Sequence, residues 1–166
     1  MTEINYWDEL TEEINEEELN LAQNVVDYVL LKEGCPYECE VNLTITDNEG
    51  IRERNLEFRG IDNPTDVLSF PNCDFEMAGN FTQFQDETLY FECFNPENGR
   101  LFLGDIMISR ERMIAQAEEY GHGVTREFAF LIAHSMLHLI GYDHIDDEEM
   151  AKDMERRQEM ILERLN

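Results

Sequence analysis

The segment from His134 to His144 constrains the fold more than any other part of the chain, because it requires a helix that ends at a fixed point. His134 and His138 are four residues apart, so a helix places both on one face, about one turn from each other. Gly141 can then end the helix in a left-handed conformation and turn the chain back. This turn allows His144 to approach the same point from a loop. The segment therefore predicts a helix, a turn and a loop that converge.

The three histidines of this segment predict a metal site. The chain has only four histidines, and three of them have the spacing that suits one ion. Three neutral imidazoles leave a tetrahedral zinc ion with one open position for water, whose pKa the ion lowers from ~15.7 to ~7. We therefore predict one Zn²⁺ bound by His134, His138 and His144, although nickel or cobalt would accept the same ligands. The alternative is a pair of surface or core histidines on an amphipathic helix.

The same spacing occurs in metalloproteases with the pattern H-E-x-x-H-x-x-G-x-x-H, so a zinc peptidase is an alternative. Those enzymes use the glutamate after the first histidine as the general base, and this chain has Ser135 there. A serine cannot serve as that base. The base must instead come from the metal hydroxide, from another residue such as Asp143, or from the substrate.

Length and composition indicate one soluble globular domain over residues 1–166. The start of the chain lacks the pattern of a secretory signal, and no run of ~18 apolar residues occurs. We therefore expect a cytoplasmic protein with no membrane partner. A cytoplasm keeps thiols reduced, and we expect small buried or surface thiols rather than a second metal site at the four cysteines, which are Cys35, Cys39, Cys73 and Cys93.

The net charge of −26 is unevenly distributed. Residues 1–49 contain fourteen acidic residues and one basic residue, which is half of the net charge. Such a surface repels nucleic acid and anionic membranes at long range. A local basic face is still possible, because six of the 12 basic residues lie between positions 50 and 112: Arg52, Arg54, Arg59, Arg100, Arg110 and Arg112.

Hydrophobic periodicity predicts an α+β fold, with a roughly four-stranded sheet packed by about five helices. The predicted strands are residues 41–46, 65–70, 101–109 and, less regularly, 89–94. The clearest predicted helices are residues 16–32, 50–58 and 111–120. We expect Thr125 to cap the helix that carries the histidines, and Asp146 with Glu149 to form a capping box for the last helix. We predict that residues 72–100 form a long hairpin or an irregular excursion.

The histidine segment also resembles the YbeY-type endoribonucleases, whose zinc-site pattern is H-G/S-x-L-H-L-x-G-Y-D-H. Residues 134–144 fit every specified position of that pattern. The resemblance covers most of residues 40–166. Four further stretches are similar and occur in the family's order: Arg59-Gly60, Pro64 to Pro71, Leu103 to Ile106, and Glu118 to His122.

The resemblance implies an α+β metallohydrolase that cleaves single-stranded RNA in ribosomal RNA maturation and ribosome quality control. It implies that His134, His138 and His144 bind the metal and that Arg59 serves cleavage. A guanidinium could hold a phosphodiester bidentately, whereas without the family the simpler role of Arg59 is a solvated arginine at a helix end. The implied partners are ribosomal RNA and the ribosome or its proteins, with no DNA. The acidity keeps one alternative open, a ribosome-assembly factor with a structural zinc.

Other residues in these stretches carry weaker predictions. Asp143 could orient a histidine or bond the turn backbone. For Ser69 and Asp105, a buried hydrogen-bonded role is the commoner case. His122 is expected to be a loop residue rather than a fourth ligand.

Overall fold

The secondary structure alternates strands and helices and ends in three consecutive helices. The computed structural model describes residues 1–11, 13–143 and 147–165. The strands within these ranges are β1 Glu3–Asp8, β2 Cys39–Thr46, β3 Val67–Pro71 and β4 Leu101–Ser109. The α-helices are α1 Glu16–Lys32, α2 Asn48–Arg59, α3 Glu87–Tyr90, α4 Arg110–Glu119, α5 Val124–Leu139 and α6 Glu148–Leu165, with 3₁₀ turns at Thr82–Gln85 and Phe91–Cys93. None of these helices combines the length and apolar character needed to cross a membrane.

The four strands form one mixed sheet in the order β1-β2-β4-β3. The β1–β2 and β2–β4 pairs are parallel, and β3 runs antiparallel to β4. The register shifts between Glu40 and Val41, opposite the point where β4 passes through Gly104. Gly104 has a φ of 138°, and a Cβ there would lie 2.2 Å from the carbonyl oxygen of Phe70. Only glycine allows β3 and β4 to approach this closely.

The two faces of the sheet are covered differently. Helices α1 and α5 pack over one face, where Val41, Leu43 and Ile45 of β2 are fully buried. This alternation along β2 is the period of a strand with one apolar face. The opposite face meets α2 in a smaller apolar cluster around Ile51 and Leu68. The main core therefore lies beneath the helix that carries the histidines.

Side-chain caps define where two of the predicted helices begin. Asn15 accepts a hydrogen bond from the Glu18 amide at 3.1 Å, at the start of α1. Asp47 accepts one from the Gly50 amide at 2.8 Å, at the start of α2. These bonds satisfy amides that have no partner inside the helix. Helix α2 ends at Gly60, whose φ of 71° is left-handed, so the chain turns directly after the last helical residue.

The prediction of an α+β domain is confirmed, and several details differ. The predicted strand over residues 89–94 is wrong: α3 and a 3₁₀ turn occupy it, and only Phe94 bridges β4, at Leu101. Tyr90 and Phe94 of this segment pack around Phe84, which is 1% exposed, rather than into the sheet. The fourth strand is instead β1, and α3 makes the count of α-helices six among the described residues.

The predicted cap of α5 needs correction, and the predicted capping box of α6 stays a prediction. Gly123 rather than Thr125 precedes α5, and it supplies no side-chain cap. Asp146 lies outside the described residues. Asp147 accepts hydrogen bonds from the amides of Glu149 and Met150 at 3.0 and 3.1 Å, at the start of α6.

Candidate active site

The C-terminal half of α5 carries the histidine pair. His134 and His138 are half-buried, and their ring centroids are 4.6 Å apart at an interplanar angle of 81°. Their Nε2 atoms are 3.0 Å apart. The four-residue spacing on a helix therefore does bring the two imidazoles together with corresponding nitrogens facing each other.

The opposite nitrogen of each ring also has a contact, His138 with the turn that follows α5 and His134 with a distant helix. Nδ1 of His138 lies 2.9 Å from the backbone oxygen of Tyr142, and Nδ1 of His134 lies 2.7 Å from the side-chain amide of Gln158 on α6. Phe130 stacks on His134 with the ring centroids 6.0 Å apart. A carbonyl oxygen can only accept, so Nδ1 of His138 carries the proton and its Nε2 has the lone pair. Such contacts fix both the orientation of an imidazole and its tautomer.

The turn after α5 is the one predicted at Gly141. The residue has a φ of 104°, and a Cβ there would lie 2.8 Å from the Cβ of Phe75. The Tyr142 amide donates to the carbonyl oxygen of Leu137 at 2.9 Å and closes the helix end. His144, the third predicted ligand, lies outside the described residues.

The excursion over residues 72–100 packs against this turn. Phe75 faces Gly141, and the Gly79 amide donates to the carbonyl oxygen of Ile140 at 2.9 Å. This contact gives the excursion a structural role that its sequence did not reveal, because it supports the end of the helix that carries the histidines.

Tyr142 anchors the turn to two other helices. Its ring is 6% exposed, and the Arg157 guanidinium lies 4.8 Å from the ring centroid. Burial and a hydrogen bond to the Glu33 carboxylate raise the pKa of the Tyr142 hydroxyl well above its usual value. Glu33 also pairs with Arg157. The end of α1 and the middle of α6 therefore hold the residue whose carbonyl oxygen orients His138.

One cleft of about 460 Å³ joins these elements. It is polar on several sides, and it includes the predicted Arg59 as well as the histidine pair. The cleft is lined by Arg59, Thr65, Asp66, Val67, Leu68, Ser69, Pro71, His134, His138, Gly141, Tyr142 and Asp143. Arg59 and His134, which are 75 positions apart in the sequence, thus lie at one site.

Arg59 differs from most other arginines of the chain. It is the last residue of α2, it is exposed, and it is absent from the ion pairs formed within residues 1–11, 13–143 and 147–165. Six other arginines pair with carboxylates: Arg52, Arg54, Arg100, Arg110, Arg156 and Arg157. The basic face considered for the middle segment is therefore not formed, because acidic side chains neutralise four of its six members.

Ser135, which occupies the position of the protease glutamate, faces the protein interior. It is fully buried, and its hydroxyl oxygen accepts a hydrogen bond from Ser69 of β3 at 2.9 Å. The bond joins α5 to the strand that lines the cleft. This arrangement gives Ser135 a packing role and provides no base at that position.

A buried polar network behind the cleft was missed from the sequence. Glu127 is 1% exposed, and one of its oxygens lies 2.6 Å from Nε2 of His122. The Gln116 amide donates both to the other Glu127 oxygen and to Asp66, at 3.1 Å each. The network fixes the loop around His122 to α5 and holds the Asp66 carboxylate at the edge of the cleft. A glutamate in an apolar helical face was the available signal, because buried carboxylates need partners.

Asp105 is not among the residues that line the cleft. Its carboxylate accepts a hydrogen bond from the side-chain amide of Asn42 at 2.8 Å, and Asn5 donates to Asn42 at 2.9 Å. These residues form a polar row across three strands. The row satisfies polar groups on the sheet and supplies nothing to the histidine pair.

Comparisons with known proteins agree with this architecture. A family model described as Endoribonuclease YbeY matches residues 5–166. Endoribonuclease YbeY of Lachnoclostridium phytofermentans is 47% identical over 165 residues, which cover 99% of this chain and 93% of that protein. Endoribonuclease YbeY of Agathobacter rectalis is 54% identical over 145 residues, which cover 87% and 86% of the two chains.

A solved structure has the same fold. The solution structure of protein TM1509 from Thermotoga maritima matches with a TM-score of 0.61 over 98% of this chain and 87% of that chain. The sequences are 24% identical, so this likeness concerns the fold alone.

The α+β fold and the polar, histidine-lined cleft are those of a small hydrolase domain. The family model and the relatives identify the kind of hydrolase, because both show that the chain belongs to the YbeY endoribonuclease family. The predicted resemblance is confirmed, and with it the interpretation as an RNA-cleaving hydrolase. The metal ligands and the role of Arg59 are separate questions and stay predictions.

Proposed function

We propose that this protein is a metal-dependent endoribonuclease that cleaves single-stranded ribosomal RNA in the cleft between Arg59 and the histidine pair. The observation that carries the proposal is the shared cleft, which brings a solvent-accessible arginine and two convergent imidazoles together. An RNA phosphodiester offers an anionic group that Arg59 can bind and a reaction centre for the site at the two imidazoles. Family membership supports the same substrate class.

The metal in this proposal is one Zn²⁺ ion held by His134, His138 and His144. The fit is supported by the Nε2 atoms of His134 and His138, which face each other at 3.0 Å while both Nδ1 atoms contact other groups. The amide nitrogen of Gln158 faces Nδ1 of His134. With the amide turned over, its oxygen accepts a hydrogen bond from Nδ1–H of His134, so that both Nε2 lone pairs serve one ion. When bound, the ion supplies Lewis-acid chemistry and favours hydroxide near neutral pH.

The chain's own residues position the substrate and the ligands. The Arg59 guanidinium binds two nonbridging oxygens of the phosphodiester and stabilises the negative charge that grows on them during displacement. The Tyr142 carbonyl oxygen keeps the proton of His138 on Nδ1 and so leaves Nε2 for coordination. Asp66 and Asp143 line the same cleft, and their charge disfavours phosphate anywhere except beside Arg59 and the cation.

The proposed substrate is compatible with a net charge of −26 because recognition would be local. Most arginines are neutralised by acidic partners, so long-range attraction of RNA is weak, and one arginine and one cation provide the attraction at the cleft. We further propose that the protein acts in the cytoplasm on ribosomal RNA, with the ribosome or its proteins as partners that deliver the substrate. Contacts with such partners would supply the affinity that the acidic surface does not.

The test is RNA cleavage by the wild type, Arg59→Ala and His138→Ala, with metal content measured on the same samples. We expect Arg59→Ala to retain the metal and lose cleavage, and His138→Ala to lose both. Arg52→Ala, which changes another arginine of α2, is the matched control and should cleave normally. Cleavage retained in both site variants, or full metal content in His138→Ala, would contradict the proposal.

A further inference from the structure

The four cysteines lie close together at the end of the sheet where β2 begins. Cys39 is the first residue of β2, and Cys35 lies in the turn before it. Cys73 follows β3, its Sγ donates to the carbonyl oxygen of Phe102 at 3.3 Å, and it lies near enough to Cys93 for that thiol to raise its pKa. All four are free thiols. Their arrangement as two pairs is a feature that the nuclease chemistry does not use.

Cys35 and Cys39 are in direct contact. Their sulfur atoms are 3.5 Å apart, and each lies 3.6 Å from the carbonyl oxygen of Tyr37. The two side chains therefore point to the same place from the two ends of a five-residue turn. Sulfurs in van der Waals contact need only small side-chain rotations to reach bonding distance.

The two thiols have different environments, which gives them different roles. Cys35 is half-buried, whereas Cys39 is 1% exposed. The hydrogen bond from Cys39 lowers the pKa of Cys35 despite its partial burial, and the same bond together with burial raises the pKa of Cys39. A surface cavity of about 430 Å³ is lined by both thiols and by Tyr37. A small reagent can therefore reach Cys35, the better nucleophile of the two.

We propose that Cys35 and Cys39 form a redox-active dithiol that low-molecular-weight disulfides oxidise to an intramolecular disulfide. The thiolate of Cys35 attacks one sulfur of the small disulfide, breaks its S–S bond and releases one thiolate, which takes up the proton that Cys35 had lost. Cys39 then loses its proton and attacks the Cys35 sulfur of the mixed disulfide, which releases the second small thiol. The dithiol loses two electrons, and the small disulfide is reduced to two thiols.

The test uses the reduced full-length protein and glutathione disulfide as the probe. Thiols are titrated over time, and the product is digested with a protease that cuts after glutamate. Glu38 lies between the two cysteines, so cleavage after it separates them into two peptides. We expect the loss of two thiols and a pair of peptides joined by a Cys35–Cys39 bond.

Single variants assign the two roles. Cys39→Ser should stop at a mixed disulfide between glutathione and Cys35, and Cys35→Ser should slow the loss of thiols about tenfold, because the accessible thiolate is gone. Cys93→Ser is the matched control and should form the Cys35–Cys39 bond at the rate of the wild type.

If the Cys39→Ser variant fails to fold, peptide mapping of the wild type still decides the test. A mixed disulfide at Cys35 that persists in the wild type would overturn the proposal. So would a first-formed bond between Cys73 and Cys93, or thiols that react only after the protein is unfolded. None of these outcomes depends on RNA cleavage, so the result is independent of the proposed nuclease function.

Discussion

The two sides of the cleft are constructed differently. On one side, His134 and His138 are half-buried on α5, and each ring has a contact through Nδ1, His138 with the turn after α5 and His134 with Gln158 of α6. On the other side, Arg59 extends from the exposed end of α2, beside a left-handed Gly60. The histidine side is therefore fixed by packing and hydrogen bonds, whereas the arginine side has the freedom of a solvated side chain.

This difference suits the two proposed tasks. Metal binding needs ligands that are held in place before the ion arrives, because a misplaced imidazole costs affinity. Binding of a flexible RNA strand tolerates a guanidinium that adjusts to the phosphate, provided that its charge is not neutralised by a neighbour. The comparison predicts that changes on the histidine side alter metal content, whereas changes on the arginine side alter cleavage alone.

The largest effect should come from His134→Ala. Loss of a direct ligand should lower metal affinity by more than the ~10–100-fold typical of outer-shell partners, and RNA cleavage should fall with it. Metal content by elemental analysis and cleavage rate are measured on one preparation. The matched control is His122→Ala, which removes the histidine outside the predicted metal site and should leave the metal bound. Equal metal content in the two variants would show that the histidine pair is not the site.

Arg59→Lys should have the next largest effect. Lysine keeps the positive charge but cannot donate two parallel hydrogen bonds to a phosphate, so we expect about a tenfold loss of cleavage against about a hundredfold for Arg59→Ala. The rate is measured at saturating RNA, with metal content as a check on folding. A lysine variant as slow as the alanine variant would mean that the bidentate geometry is essential, and one as fast as the wild type would mean that charge alone matters.

The fold could be predicted from sequence where local patterns dominate. Helix α1 begins and ends as its periodicity predicts, and the alternation of β2 defines its buried face. Residues 89–94 misled the prediction because aromatic residues suit strands and aromatic clusters equally well. β1 was missed although Glu3 to Tyr6 alternate polar and apolar residues, because this alternation is only four residues long and its pairing with β2 is what makes it a strand. In both cases the outcome depended on tertiary packing that the local sequence does not express.

The candidate site also has features that could be predicted from the sequence and features that could not. The spacing of His134 and His138 and the turn at Gly141 follow from helix geometry, so they could be predicted. The placement of Arg59 in the same cleft was implied by the family resemblance alone. Gln158 could not have been predicted, because its contact with His134 joins two helices that are far apart in the sequence. The residues that orient the ligands are therefore the part of the site that only a structure reveals.

Gln158 provides a test of that orienting role. Gln158→Leu removes the contact with Nδ1 of His134, and we expect metal affinity to fall about tenfold or more while the fold persists. Gln158→Glu should retain the affinity, because a carboxylate accepts the same hydrogen bond from Nδ1–H of His134. The neighbouring exposed Glu159 supplies the control, as Glu159→Gln changes α6 without touching the histidine. Metal titration measures the affinity of each of the three variants. A leucine variant with the affinity of the wild type would assign Gln158 to packing only.

Tyr142→Phe should have the smallest effect, and it separates the backbone of residue 142 from its side chain. The change removes the hydroxyl that donates to Glu33, and it retains both the ring beneath Arg157 and the carbonyl oxygen that accepts from His138. We expect the free energy of unfolding to fall by about 1 kcal/mol, the usual cost of one hydrogen bond, with metal affinity unchanged. Denaturant unfolding and metal titration measure the two quantities separately. A fall in metal affinity would show that the Glu33 contact also sets the position of the carbonyl oxygen, which would extend the rigid side of the cleft as far as α1.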